Sequence, residues 1–487
     1  MIDEADGYVT DVAYTRHHHP TLDPARAVLA ARRAGLAPPS MRFACELGFG
    51  QGLSLAIHAT ASDTEWWGVD VLPQHVEFAR SLIDDAAARE RLVCASFEQF
   101  DARCDLPMFD FIALHGVWSW ISPENRARIT QFIDRRLAPG GIVYLGYNAL
   151  PGWGPALSLR ELLVAYANRP GSDRLPIEER IEQALIFATQ VIASEPRIIE
   201  SQPAFERQLR DIRSKKKSYL AHEYFNRDWH PMHFSQVSAS LSRLGLRYLG
   251  QADFSDSYDE WRLTAAQRAV LSQIDDPLLY ETTRDLMLNR RFRRDYWLRS
   301  EATPIVSRLC KMTVRLQIAP GPRPNPIESP AEVLAWLDAL GAPGSHVTRS
   351  IETASDHAAL AYAIGRGWVN LARASEVAAS FRASVGVINA RILDRVFDDP
   401  ELGALASHWT GSGIELGWWT LALLAAMRDG QGVEVAVKQV LSVAERLGIA
   451  LSRNGFELSE HEAMSELRRR ADALLAQRAL LAQVFAY

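Results

Sequence analysis

Residues 42–47, RFACEL, run directly into GFGQG and then into LSLAIHATA. A short apolar run, three alternating glycines and a second apolar run read as strand, tight turn and helix. That sequence of elements is the corner at which a doubly wound α/β sheet receives a ligand. Glycine tolerates positive φ and lets the backbone approach a ligand closely, and the helix that follows offers free N–H groups to a negative group. Spacing then restricts the ligand. A dinucleotide site wants G-x-G-x-x-G, whereas the run here is Glu46-x-Gly48-x-Gly50-x-Gly52, with Leu53 where the third dinucleotide glycine belongs. No Gly-Lys-Ser/Thr follows, which excludes a nucleotide P-loop.

The pattern repeats downstream. EWWGVD (65–70), RLVCAS (91–96), FDFIALHG (109–116) and GIVYLGYN (141–148) read as strands, and LPQHVEFARSLIDDA and NRARITQFIDRRL as helices between them. Alternating strands and helices predict parallel βαβ units. Residues 155–215 are charge-rich and helical with no strand candidate, which suggests an insertion. MHFSQVSASLSRLGLRYLGQAD then gives a helix, a stop at Gly245 and another strand, so the α/β layer is expected to end near residue 255. Residues 260–300 read as helical and basic. PGPRPNP (320–326) reads as a linker, and the chain beyond it as mostly helical, with LAWLDAL, GWWTLALLAAM and AMSELRRRADALLAQ the clearest segments. A chain of 487 residues favours two or three domains. The expected division is a cofactor-binding core at 1–155, a helical insertion at 156–215, the end of the core with a further segment at 216–300, and a C-terminal domain at 301–487.

The E-x-G-x-G-x-G run resembles motif I of the class I S-adenosylmethionine (SAM) methyltransferases. EWWGVD ends in Asp70, where a carboxylate can accept hydrogen bonds from both ribose hydroxyls. HGVWSW (115–120) and YNALPGW (147–153) are similar to signatures of bacterial methyltransferases that carry a methyltransferase regulatory domain. YTRHHHPTLDPAR (14–26) resembles that family's N-terminal segment through Tyr14, Pro20, Pro24 and Arg26. HEYFNRDWHPMHF (222–234) and LNRRFRRDYW (288–297) resemble its regulatory portion. The likeness covers about residues 10–300. One departure is His17–His19, where the family has an apolar or aromatic residue among the prolines.

The resemblance implies a Rossmann-like, seven-stranded class I methyltransferase core with SAM as cofactor. It places Tyr14, Glu46, Gly48, Phe49, Gly50, Gly52, Asp70, Val71, Ser96, Phe97 and His115 around that cofactor, with Ser96 and Phe97 at the adenine. The family includes dimeric protein-lysine methyltransferases that act on outer-membrane protein B, so a protein-lysine acceptor and a homodimer are expected. A small-molecule O- or N-methyltransferase and a non-catalytic SAM-binding scaffold are the alternatives.

His115, Trp118, Trp120 and Tyr147 are the candidates for catalysis. An extended segment would put Trp118 and Trp120 on one face at the cleft mouth, where with Tyr147 they could form an aromatic pocket that desolvates a lysine amine. Core packing beneath the insertion is the competing reading for these aromatics. His115 could take a proton or serve only as a hydrogen-bonded structural residue. Asp70 could instead cap the next helix. The adjacent His17–His19 cannot all converge on one ion, and no metal site is expected.

Composition narrows the rest. Lys+Arg 53 against Asp+Glu 59 gives a net charge of −6, which makes no electrostatic case for nucleic acid or an anionic membrane. The basic runs RSKKK and RRFRR read as solvated helix faces. Cys45, Cys94, Cys104 and Cys310 show neither metal spacing nor a disulfide framework, which fits a reducing, cytoplasmic setting. The N-terminus lacks the apolar core of a signal peptide, and no apolar run reaches the roughly 20 residues of a membrane span.

Overall fold

A computed structural model describes residues 15–202, 204–300, 311–319, 329–453 and 456–487. At its centre is a seven-stranded sheet: β1 (Phe43–Leu47), β2 (Glu65–Asp70), β3 (Leu92–Cys94), β4 (Phe109–His115), β5 (Leu137–Asn148), β6 (Leu246–Gln251) and β7 (Phe292–Arg299), in the order 3-2-1-4-5-7-6. β1 to β5 are mutually parallel. β7 runs antiparallel to both neighbours, pairing Ile142 with Leu298 and Asn148 with Phe292 across β5. β1 and β4 are covered on both faces, which is why FACEL and FDFIALH are almost unbroken apolar runs.

The strand reversal between β1 and β4 opens a crevice at the carboxyl ends of the strands, and the glycine turn lies at its edge. Gly52 adopts φ +67° and caps the helix Leu53–Ala61, whose buried residues run almost its whole length. Between β5 and β6 every described element is helical, from Leu157–Ala167 to Lys217–Tyr224 and Phe234–Ser242. The first of these helices enclose their own apolar cluster, which includes Trp120, Trp153, Tyr224 and Trp229.

The α/β layer does not end near residue 255, and residues 260–300 are not helical throughout. Helices run from Asp259 to Leu288, but FRRDYWLR then forms β7, inserted between β5 and β6. Its polar run is accommodated by a buried ion network. The Arg293 guanidinium donates to Asp295 Oδ2 at 2.8 Å, to both oxygens of Asp285 at 2.8 and 2.9 Å and to Glu281 at 2.9 Å, with 1% of the side chain exposed. A buried cation is tolerated when it is paired in this way.

The C-terminal region is chiefly helical, as expected, but also holds small sheets. Met312–Ile318, His346–Ile351 and Val369–Leu371 form a three-stranded antiparallel sheet, and Ala404–Ser407 pairs with Ser412–Glu415. PGPRPNP lies outside the described residues. One apolar cluster runs from the helix Leu53–Ala61 into the C-terminal helices without a break. The last hairpin packs against that same helix, where His58 Nε2 lies 3.4 Å from Ser412 Oγ. The C-terminal region is therefore seated directly behind the glycine corner.

Candidate active site

Gly48, Gly50 and Gly52 all adopt positive φ. At two of them the space is also closed: a Cβ on Gly48 would lie 2.6 Å from Val117 Cγ2, and one on Gly52 would lie 2.8 Å from Ala79 Cβ. The turn thus requires glycine for conformation and for fit. The cavity in front of it is lined by Glu46, Phe49, Asp70, Val71, Ser96 and Phe97, and by His115 across from the turn. Tyr14 lies outside the described residues.

Asp70 sits at the end of β2 and does two jobs. Oδ2 accepts from Gly50 N at 2.8 Å, which fixes the glycine turn, while Oδ1 accepts from Leu72 N at 3.0 Å and faces His75 Nδ1 at 3.0 Å. A carboxylate has about four lone-pair sites. Oδ2 therefore has room for one further donor, where the sequence pattern suggested two ribose hydroxyls. Ser96 Oγ accepts from Gln99 N as the cap of a short helix, and its neighbour Phe97 lines the cavity.

Glu46 is buried at 3% exposure, and Oε2 has no hydrogen-bond partner among the described residues. Burial, with the Asp70 carboxylate adding to it, raises its carboxyl from 4.5 to about 8. A buried acid in that state is a receptor for a cation. Across the cavity His19 stacks on His115 with ring centroids 3.8 Å apart. Burial lowers both: His19 to about 3, with help from His17 and Arg294, and His115 well below the usual imidazole range, with help from His19 and Arg294. Both rings are neutral at pH 7, so neither opposes a cationic ligand. His115 Nδ1 is 2.7 Å from the Tyr144 hydroxyl, which in turn is 3.0 Å from Thr21 Oγ1. So held, His115 is a weakened base, hydrogen-bonded at the cavity wall.

Two aromatic expectations are corrected. Trp118 does not line the cleft: Val117–Trp120 is a turn closed by Trp120 N to Val117 O at 2.8 Å, not an extended segment. Trp118 therefore points into the core at 2% exposure, while Trp120 faces the cavity. Tyr147 is fully buried and donates its hydroxyl to Asp295 Oδ2 at 3.2 Å. Three residues apart on β5, Tyr144 and Tyr147 face opposite sides, and Tyr144 is the one that reaches His115.

A second cavity adjoins the first under the helical insertion. Trp153, Tyr219, Tyr224, Asn148 and Arg294 line it, and the two share His115, Gly116, Trp120 and Glu223. Of these, the sequence named only His115 and Trp120 as site residues; Asn148, Trp153, Glu223, Tyr224 and Arg294 lay in stretches read as family motifs or basic runs, and the helix that carries Tyr219, Glu223 and Tyr224 begins about 100 residues further on.

A strap formed by residues 15–19 crosses the first cavity, with Thr15, His17 and His19 in its lining. His19 N donates to Ser54 Oγ at 2.8 Å. Arg16 reaches the C-terminal region, pairing with Asp399 Oδ2 at 2.6 Å while its backbone N–H donates to Glu401 Oε2 at 2.9 Å. The histidine triplet splits accordingly: His17 is exposed, His18 is buried near His58, and His19 faces the cleft.

The 3-2-1-4-5-7-6 sheet with antiparallel β7, and a glycine corner opening on an unpartnered acid, define a class I SAM methyltransferase fold. Residues 44–141 match the family model described as a methyltransferase domain, and residues 216–299 match that of the predicted methyltransferase regulatory domain. The chain is thus a class I methyltransferase fold that carries a methyltransferase regulatory domain. The latter supplies β6, β7 and the Glu223 helix, and so completes the sheet and the second cavity.

Among relatives, the uncharacterized protein sll1526 of Synechocystis sp. is 36% identical over 301 residues, 61% of this chain and 59% of that one. The uncharacterized protein RP789 of Rickettsia prowazekii is 24% identical over 296 residues, 58% of this chain and 51% of that one. The chain thus spans between half and three fifths of the length of these two relatives. PKMT2 from Rickettsia typhi, solved in complex with AdoHcy, matches over 96% of this chain and 98% of that one, with a TM-score of 0.61 at 16% identity. At that identity the likeness is one of fold. No described helix is long and apolar enough to cross a membrane.

The cleft fits SAM on its own chemistry. The glycine turn gives the backbone access a methionine portion needs, Glu46 Oε2 is an unpartnered acceptor that suits an ammonium, and Asp70 Oδ2 has room for a ribose hydroxyl. Val71 and Phe97 offer apolar surface to an adenine.

Proposed function

We propose that the protein is a SAM-dependent methyltransferase whose acceptor is a protein lysine amine. The observation that carries this is the meeting of two cavities at His115, Gly116, Trp120 and Glu223: one has the cofactor chemistry, and the other is an aromatic channel opening beneath the helical insertion. Bound SAM supplies a methyl group already activated on a cationic sulfur. The chain must therefore bind, align and exclude water, which together account for most of such a rate enhancement. Glu46 and Asp70 anchor the two ends of the cofactor, the strap at residues 15–19 covers it, and the neutral His19–His115 stack adds no positive charge of its own. Trp120, Trp153, Tyr219 and Tyr224 provide the apolar wall that favours a neutral amine over an ammonium.

The fold likeness to PKMT2 and the family motifs support a lysine acceptor, and with it a homodimer; sedimentation at micromolar concentration tests the latter. For the activity, the full chain is incubated with methyl-tritiated SAM and a cell lysate, and the labelled fraction is hydrolysed. Label in methyl-lysine from protein is expected. Label confined to small molecules refutes the lysine acceptor, and no transfer at all refutes catalysis.

A further inference from the structure

The neck between the two cavities is built from one imidazole (His115), one indole (Trp120), a glycine (Gly116) and one carboxylate (Glu223). Among the described residues, Glu223 is the one acid that lines both cavities; Glu46 and Asp70 belong to the cofactor side and Asp211 to the outer side. We propose that Glu223 receives the acceptor lysine at the cleft mouth, first pairing with its ammonium and then taking a proton from it. This rests on the lysine reading above and deepens it.

Several features of the neck support the assignment. Glu223 lies on the helix Lys217–Tyr224, beside the aromatic wall, and the next residue, Tyr224, packs edge-on against Trp153 at 5.7 Å. Trp120, which closes the other side, lies 6.2 Å from Trp229. A lysine side chain entering the outer cavity would therefore run between aromatic rings with its head directed at a carboxylate, an arrangement that suits an alkylammonium. The cations of the outer cavity are otherwise engaged: Arg291 lies over the Trp153 ring at 4.2 Å and Arg294 over the Phe292 ring at 5.1 Å. Neither they nor Lys215 acts on the Glu223 carboxyl, which burial alone raises to about 7. An acid of that strength is matched to proton transfer at neutral pH. The neighbouring imidazoles, His19 and His115, are held too far down to compete for the proton.

The step balances without any further reactant. An N–H bond of the lysine ammonium breaks and an O–H bond forms on Glu223, so a cation and an anion become two neutral groups. The freed lone pair forms the new C–N bond as the methyl–sulfur bond breaks, with its electron pair passing to sulfur. Glu223 then returns its proton to solvent.

The test uses the full chain and its Glu223→Gln variant, which preserves size. Calorimetry with AdoHcy should give affinities within twofold of each other, showing that the cofactor cleft is intact. Transfer from tritiated SAM to protein lysine should fall at least tenfold in the variant. Binding is read separately with two probes of equal length, n-butylammonium and n-butanol, on the AdoHcy-loaded wild-type protein. The cation should bind at least tenfold more tightly than the alcohol, and this preference should vanish in Glu223→Gln. Methyl-lysine formed at an undiminished rate by the variant overturns the role of Glu223 and leaves the lysine acceptor standing. So does a wild-type protein that binds the alcohol as well as the cation, an arm that decides the matter even if the variant fails to fold. Label on a group other than lysine overturns both.

Discussion

The unpartnered Glu46 carboxyl makes cofactor binding depend on pH with a defined sign. Its pKa is raised from 4.5 to about 8 by burial and by Asp70. In the free protein this acid is neutral at pH 6 and half ionised near pH 8. The folded state gains from the neutral form, so the contribution to stability is fully present below 4.5 and is lost as pH rises toward 8. The whole loss is on the order of 5 kcal/mol. A ligand bearing an α-ammonium reverses the preference, because the bound acid is best ionised. If it stays ionised in the complex throughout, AdoHcy affinity should rise about 50-fold between pH 6 and pH 8, or about 2.3 kcal/mol. Calorimetric titration across that range, in buffers of differing ionisation enthalpy, measures both the slope and the proton released. Glu223 is raised to about 7 and titrates in the same window, so the control is Glu46→Gln, which should flatten the profile and make the free protein more stable above pH 7. A wild-type affinity that does not change with pH, or a slope that survives in Glu46→Gln, would refute the assignment of Glu46 to the ammonium.

Other outcomes follow from geometry. Gly48→Ala must hold a Cβ at φ +70° and 2.6 Å from Val117 Cγ2, so stability should fall by about 1–3 kcal/mol and AdoHcy binding should weaken; chemical denaturation and calorimetry read the two effects. Asp70→Asn turns one acceptor toward the donors of Gly50, Leu72 and His75 into a donor, and AdoHcy affinity should drop at least about tenfold by calorimetry. Arg293→Met strands Asp285 and Asp295 and should cost about 3–5 kcal/mol in thermal unfolding. Adding Asp295→Leu should recover part of that loss, and no recovery would show that the ion network is not the cause.

The parallel half of the sheet was legible because its strands are buried on both faces, so that FACEL and FDFIALH announce themselves as apolar runs. β7 was not, because Arg293, Arg294 and Asp295 read as solvated surface until Asp285 and Glu281 are seen to meet Arg293. The glycine corner could be read from spacing alone, since each residue there acts through its own backbone. Side-chain direction was harder to foresee. The turn at Val117–Trp120 sends Trp118 inward, and β5 turns Tyr144 rather than Tyr147 toward His115. Glu223 lies in HEYFNRDWHPMHF, which the sequence marks only as a regulatory-portion likeness; its place in the neck is set by how the helix Lys217–Tyr224 folds back beside the ends of β4 and β5.

Arg16 fastens the strap over the cofactor to Asp399 and Glu401, 383 and 385 positions further along the chain. Thr15, His17 and His19 of the strap form part of the cofactor cavity's wall, so that wall is held in part by a region that touches no reacting atom. Drawing Asp399 and Glu401 aside would free Arg16 and loosen that wall. The C-terminal half thereby braces one wall of a site assembled almost entirely from the first 300 residues.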